Sequence, residues 1–249
     1  MSTPTAPSGA HAYQPLLMQG KWFKQITPLL QQQLLDAALV RKLGDGERLF
    51  SRGDACCGLY AVLDGMVQIS GVGGAADNAK EAVLTLIEPP DWFGEIALFD
   101  RQRRTHDAAA DGVTVVLQVP QPAMAQLLEA HPVYWRELAL LMSHKLRLMF
   151  ALVEETAMLP APVRLARRLL WMAEGYGGRH DETQRKRMLH VSQEQLSRLL
   201  AISRQTSNQI LKNLEQQGLI RLHRNAVELV DFDGLRQVVA SVGDALRPG

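Results

Sequence analysis

Residues 192–220 read SQEQLSRLLAISRQTSNQILKNLEQQGLI. Ser192, with Gln195 three positions later, fits a capping box at a helix start. Leu196, Leu199 and Leu200 then form the inner stripe of a short helix. Ser197 and Ala201, four apart, are small, as two closely approaching helices require. Ser203 is a second N-cap, and Arg204–Gln216 predicts a second helix with Ile210, Leu211 and Leu214 inward. Gly218 suits the position just past a helix end. Two short helices joined by about three residues make a helix-turn-helix. Leu219–Val230 then predicts a two-stranded wing with Arg221, His223 and Arg224 near its tip.

The first residues of the second helix of such a motif face the DNA major groove. Here those are Arg204, Gln205 and, a turn later, Ser207, Asn208 and Gln209, with Ser192, Ser203 and Thr206 beside them. Arginine can bond guanine N7 and O6 together, and glutamine can do the same with adenine N6 and N7. Lys212, Arg221 and Arg224 are placed for phosphates, which add salt-dependent affinity and little specificity. Charge supports this division of labour. Residues 161–230 carry 12 Lys/Arg against 6 Asp/Glu, whereas residues 1–160 carry 13 against 17. A basic module behind an acidic one points to a polyanion at the C-terminal part alone. Just upstream, Val163–Ala173 predicts a helix with Arg164, Arg167 and Arg168 on a basic side and Leu165, Leu169 and Leu170 on an apolar one. Gly175–Gly178 ends it, and Met188–Val191 can form a short strand.

Further outward, Met158-Leu159-Pro160-Ala161-Pro162 cannot continue a helix and marks a domain boundary and candidate hinge. Before it, residues 131–159 carry Trp135, Leu138, Met142, Lys145, Met149, Leu152, Thr156 and Leu159 in steps of three and four, a heptad seam with one charged interruption at Lys145. Leu140, Leu141, Leu146, Leu148, Phe150 and Val153 lie off that seam, so the helix needs cover on more than one side. Packing on its own domain and on a twin helix would supply it, and a homodimer through residues 131–159 is expected. From Leu43 to Val119, short apolar segments alternate with Gly44-Asp45-Gly46, Gly53-Asp54, Asp64-Gly65 and Gly73-Gly74, the spacing of an antiparallel sandwich or barrel. Gly71–Asn78 predicts a mobile hairpin loop. Residues 16–42 predict helix behind Thr27-Pro28, and the first residues a disordered tail.

Within the strand region lies WFGEIALFDRQRRTHDAAA, residues 92–110. A β-roll, a long dimer helix and a winged helix-turn-helix together resemble the Crp/Fnr family of bacterial transcription regulators. The resemblance covers roughly residues 20–236. It rests on Gly53-Asp54, Leu59-Tyr60 with Asp64-Gly65, Phe93-Gly94-Glu95-Ile96-Ala97-Leu98, Arg104-Thr105 and Leu196–Leu214. It implies an α+β fold: a β-roll effector domain with an N-terminal helix (16–130), a dimerisation helix and hinge (131–160) and a winged DNA-binding domain (161–249), behind the disordered tail (1–15) that the small, polar, Pro- and Gly-containing composition of residues 1–12 predicts. It also implies that residues 92–110 are the phosphate-binding cassette of the cyclic-nucleotide-binding branch. Gly94 would let the backbone approach, with Ile96 and Ala97 opening a short helix whose amides attract an anion. Arg104 would fork onto a cyclic phosphate, Thr105 add a hydroxyl donor, and Glu95 accept from a ribose 2′-OH. Met149 and Phe150 stand where the family's purine-contacting Thr-Ser pair is found; they can pack against a base. Glu95 and Arg104 could instead form an ion pair within the roll.

The implied effector is cAMP or cGMP, with cyclic di-GMP, another ligand or an unfilled pocket as alternatives. The implied partners are a roughly palindromic double-stranded DNA operator, a second copy of the chain and RNA polymerase. Adjacent Cys56 and Cys57 leave an oxidation-sensing regulator as another possibility. No Walker loop, metal-spaced His/Cys set or nucleophile with an evident base is present, so neither an enzyme nor a metal site is expected. No apolar run reaches bilayer length and the N-terminus lacks the pattern of a signal peptide, so a cytoplasmic protein is expected, away from membranes.

Overall fold

The computed structural model describes residues 7–73, 80–174 and 187–245. The chain divides into two compact units, Met1–Lys145 and Leu146–Gly249.

The first unit opens with a 3-10 helix (Pro7–Tyr13) and three short helices, α1 (Gln14–Leu17), α2 (Lys21–Gln25) and α3 (Pro28–Ala37). This corrects the expected tail over residues 1–15. From Pro7 onward the chain is helical, with Ala10 buried in the core and His11 Nε2 2.8 Å from the Asp36 carboxylate. Residues 1–6 lie outside the described residues. The single helical segment expected over 16–42 is also broken. Gly20 and Ile26 adopt extended backbone, Thr27 caps α3 by accepting from the Leu30 amide, and Ala38 turns the chain into a strand.

Among the described residues, eight strands follow: β1 (Leu39–Leu43), β2 (Arg48–Phe50), β3 (Gly58–Asp64), β4 (Val67–Gly73), β5 (Lys80–Ile87), β6 (Trp92–Phe93), β7 (Asp107–Ala110) and β8 (Thr114–Pro120). They form two antiparallel sheets, in the orders β1-β8-β3-β6 and β2-β7-β4-β5. Of the loop expected over Gly71–Asn78, Gly71–Gly73 belong to β4; residues 74–79 lie outside the described set.

Strand β3 explains the layering. Its side chains alternate, and both faces are buried. Tyr60 and Val62 pack with Phe50, Val67, Phe93, Ala108 and Val116 in a core drawn from both sheets. Leu59, Ala61 and Leu63 face the opposite way, into a core with Phe23, Leu34, Leu35 and Trp92. Helix α5 (Gln121–Ala130) and the start of α6 (Tyr134–Met158) close that second core through Met124, Leu128, Leu138 and Leu141.

The division between units falls within α6, after Lys145. Its early seam residues are spent inside the first unit: Leu138 is buried, and Trp135 packs on Phe99 with ring centroids 5.1 Å apart. The solvent-facing apolar stripe is therefore different from the one expected. It comprises Leu146, Met149, Phe150 and Val153.

The second unit continues with α7 (Ala161–Glu174), β9 (Met188–Leu189), α8 (Gln193–Leu199), α9 (Arg204–Gln216), the hairpin β10 (Ile220–His223) and β11 (Ala226–Leu229), and α10 (Phe232–Ala245). The expected stop at Gly175–Gly178 lies outside the described residues. Leu165, Leu169, Leu196, Leu200, Leu211, Leu214, Val227 and Leu235 share one core. The arginines of α7 are not a free basic face. Arg168 is buried, Arg164 donates to the Leu200 carbonyl at 3.3 Å, and Arg167 Nε lies 3.1 Å from the buried Glu155 carboxylate.

Candidate effector site and nucleic-acid interface

Strand β6 ends at Gly94, whose φ of 97° disfavours any side chain. A Cβ there would lie 3.0 Å from the Gly58 carbonyl oxygen, 3.2 Å from Arg104 Nη1 and 3.3 Å from the Tyr60 ring. The tight passage leads into α4 (Ile96–Asp100), which Arg101 ends in the left-handed conformation at φ 56°. Ala97 and Leu98 point inward, while Ile96 is exposed.

The chain returns to Arg104 through backbone pairing with the Gly53-Asp54 turn. The Gly53 amide donates to the Arg104 carbonyl, and the Arg104 amide to the Asp54 carbonyl, each at 2.8 Å. The Arg104 guanidinium is buried. It donates to the Gly94 carbonyl at 2.9 Å, the Gly58 carbonyl at 2.7 Å and Cys57 Sγ at 3.2 Å, and it lies 4.2 Å over the Phe50 ring. Its Nε has no hydrogen-bond partner among the described residues. Tyr60 donates to the same Cys57 sulfur at 3.0 Å, and burial pushes its phenol well above the ordinary range.

Glu95 is buried and pairs with Lys145 Nζ at 2.7 Å, not with Arg104. The alternative of a Glu95–Arg104 ion pair is thereby corrected: each has its own partners. Thr105 is exposed, with Oγ1 2.9 Å from His106 Nδ1. The His106 imidazole sits below its ordinary pKa, through partial burial and then the nearby Arg52 charge. Met149 and Phe150 lie beyond Lys145 in the second unit and are exposed.

Lys145 as the partner of Glu95, and Cys57, Tyr60 and Phe50 as neighbours of Arg104, were not anticipated from the sequence. One signal was available for Lys145. A lone lysine interrupting an apolar helical seam and a lone glutamate in a buried segment each need a counter-charge.

In the second unit, Ser192 and Gln195 form the full capping box of α8, and Ser203 caps α9 by accepting from the Thr206 amide at 3.0 Å. The candidate hydroxyls at Ser192 and Ser203 thus hold the motif in shape. Between the helices Ala201 takes φ 51°, and the Ile202 amide bonds the Ser197 carbonyl. Ser197 is buried as expected. Ala201 is exposed in the left-handed turn and is not the buried helix–helix contact expected of it.

Arg204, Gln205, Thr206, Gln209 and Lys212 are exposed along α9 and Asn208 is half-buried, whereas Ser207, expected to face the groove, is fully buried on the core side of the helix. Arg204 Nη2 bonds Glu194 on α8, and Gln209 donates to Asn213 at 3.1 Å. In the wing, Arg221 and His223 both bond Glu228, at 3.1 and 3.0 Å, and hold its carboxyl below the ordinary range, His223 foremost. Arg224 is exposed in the turn where Asn225 takes φ 58°. The Leu222 amide donates to Glu215, tying the wing to α9. Among the described residues, no group of three or more His, Cys, Asp or Glu could hold a metal ion, and no helix is long and apolar enough to cross a membrane.

A two-sheet antiparallel roll followed by a winged helix-turn-helix is the architecture of a DNA-binding transcription regulator. Comparison with known proteins identifies the lineage. Residues 40–131 match the cyclic nucleotide-binding domain, and residues 163–238 the Crp-like helix-turn-helix domain. The chain belongs to the Crp/Fnr family of transcription regulators. It is 28% identical over 191 residues to a CRP-like cAMP-activated global transcriptional regulator of Mycobacterium tuberculosis, covering 76% of this chain and 83% of that one. It is 27% identical to the cyclic AMP receptor protein of Thermus thermophilus, covering 78% and 84%. In fold it is similar to FixK2 of Bradyrhizobium japonicum (TM-score 0.67, 19% identity, 81% of this chain and 96% of that one). It is also similar to the c-di-GMP-responsive regulator CLP of Xanthomonas campestris (TM-score 0.61, 22% identity, 80% and 96%).

Proposed function

We propose that the chain is a homodimeric, sequence-specific transcription regulator that works in the cytoplasm and is controlled by a cyclic nucleotide bound at the Gly94–Thr105 cassette. The observation that carries this reading is the state of Arg104. Its guanidinium sits behind the Gly94 passage and is held by two neutral carbonyls and a thiol, with Nε unpartnered. A cyclic phosphate offers a charged acceptor, and charge-assisted bonds are roughly twice as strong as neutral ones. Ligand binding would draw Arg104 from the carbonyls to the phosphate. A ribose hydroxyl on Glu95 would compete with Lys145, which is how the cassette would act on α6. The ligand shifts the equilibrium only by its difference in affinity for the two arrangements.

The Leu146, Met149, Phe150 and Val153 stripe is the proposed seam with the second copy. Two α9 helices about one DNA turn apart would read a roughly palindromic site, with Arg204, Gln205 and Gln209 toward bases and Lys212 and Arg224 toward phosphates. RNA polymerase is the proposed downstream partner. The relatives named for cAMP favour that nucleotide, with cGMP as the close alternative, and the fold neighbour named for c-di-GMP keeps the dinucleotide in the test.

The deciding measurement is the melting temperature with cAMP, cGMP or cyclic di-GMP, each at saturation. A ligand at about a hundred times its dissociation constant adds roughly 2.7 kcal/mol of stability. A rise with one nucleotide, absent in Arg104→Ala, supports the assignment; no rise with any of them refutes it. A second reading is favoured by the Arg104–Cys57–Tyr60 contacts, namely a regulator that answers to oxidation at Cys57. In that case Cys57→Ser, and not Arg104→Ala, abolishes the response in DNA binding.

A further inference from the structure

We propose that Glu194 is a positioning residue for Arg204: its carboxylate fixes the guanidinium and so sets how strictly one base pair per half-site is read. The proposal rests on α9 being the recognition helix.

Arg204 is the first residue of α9, so no earlier turn of its own helix can support its long side chain. That side chain is 73% exposed, and among the described residues its one ion-pair partner is Glu194 on α8. The two backbones are fixed relative to each other. Ser192 and Gln195 cap α8 reciprocally, Ser197 Oγ donates to the Glu194 carbonyl at 2.8 Å, and the Ile202 amide donates to the Ser197 carbonyl at 3.1 Å. Ser203 then caps α9 directly before Arg204. Only side-chain order is left to be supplied, and the carboxylate supplies it.

Electrostatics argues that Glu194 is there for specificity. A carboxylate beside DNA repels phosphates and weakens binding, so a surface built for affinity alone would not carry one. Placed on Arg204, it gives up sequence-independent attraction and gains a defined orientation. The guanidinium has two edges with paired donors, and a single acceptor at Nη2 leaves one edge complete for guanine O6 and N7. An unrestrained arginine could swing to a phosphate or tolerate another base. Ordering a rotamer-rich side chain before docking removes that cost from the binding step, worth roughly 3- to 10-fold.

The test uses the full-length protein and a duplex that it selects from a randomised pool in the presence of cAMP, cGMP and cyclic di-GMP. Affinities are measured for that duplex and for all its single-base-pair variants. Arg204→Ala locates the base pair that Arg204 reads. Glu194→Ala is then expected to lower discrimination at that pair roughly 3- to 10-fold, with other positions and the melting temperature unchanged. Glu194→Gln, which keeps an acceptor, restores part of it. In the Arg204→Ala background, Glu194→Ala has no further effect. Unchanged discrimination in Glu194→Ala overturns the proposal. So does a uniform loss at all positions with a lower melting temperature, which marks a role confined to the first turn of α8. So does an effect that persists without Arg204, which makes Glu194 a reader in its own right. If Arg204→Ala loses discrimination nowhere, the recognition-helix assignment itself fails.

Discussion

Lys145→Met removes the cation from Glu95 and keeps most of the side chain's volume. Glu95 is 2% exposed, Lys145 is 32% exposed at its side chain, and they meet at 2.7 Å. Removing one partner of a fully buried pair costs about 3–5 kcal/mol, and an exposed pair is worth about 0–1 kcal/mol. A pair sealed on the carboxylate side and partly open on the amine side falls between, at about 2 kcal/mol. With a urea slope of about 1–3 kcal/mol per molar, the unfolding midpoint should drop by about 1 M. Tryptophan fluorescence reports it: Trp22, Trp92 and Trp135 lie in the first unit and Trp171 in the second, so the loss should appear in the signal of the first. The double variant Glu95→Gln/Lys145→Met leaves no unpaired charge and should recover much of the loss. A single variant within about 0.5 kcal/mol of wild type, or strictly additive effects in the double, would refute the pairing as the reason Glu95 tolerates burial.

Gly94→Ala should cost about 1–3 kcal/mol, the scale for a non-glycine residue held in a disfavoured backbone region, and it should displace Arg104, whose Nη1 lies 3.2 Å from the new Cβ. Urea unfolding reads the first effect, and loss of nucleotide-induced stabilisation the second; wild-type behaviour in both would contradict the tight passage. Burial raises the Glu155 carboxyl above its ordinary 4.5, against the pull of Arg167, Arg168 and Arg164. A raised folded-state value means that the folded state holds the proton longer than the unfolded one. Wild-type stability relative to Glu155→Gln should therefore fall as pH rises from 4.5 through the raised value. A relative stability that instead grows over that window in urea titrations read at Trp171 would reverse the sign. Phe150→Asp/Val153→Asp places charge on the exposed stripe of α6 and should yield monomers by sedimentation at micromolar concentration; a dimer that persists locates the seam elsewhere.

What was legible in the sequence is what local chemistry fixes. Ser192-Gln195, Ser203 and Gly218 carry capping signals that need no tertiary information, so α8 and α9 could be placed almost to the residue. The leucine stripes facing inward follow from the same helical period. The strands of the roll were legible through alternation and turns, but which sheet each joins was not, because β3 pairs with β6 and β8 across long sequence separations. The cassette shows the same limit more sharply. Gly94, Glu95 and Arg104 stand out as residue types, yet their partners come from β2, the Cys57–Tyr60 stretch and α6, brought together only by the closed roll. The heptad pattern of α6 misled for a related reason. A helix that is apolar on several faces does not say which face the first unit consumes. Trp135 and Leu138 satisfied the seam pattern and were claimed by Phe99 and the helical core, which left Leu146, Met149, Phe150 and Val153 as the face available to a second copy. Lys145 sits at the changeover. The one charge in the seam is the residue that ties α6 to the cassette, and a polar break in an apolar stripe is better read as a demand for a specific counter-charge than as a flaw in the pattern.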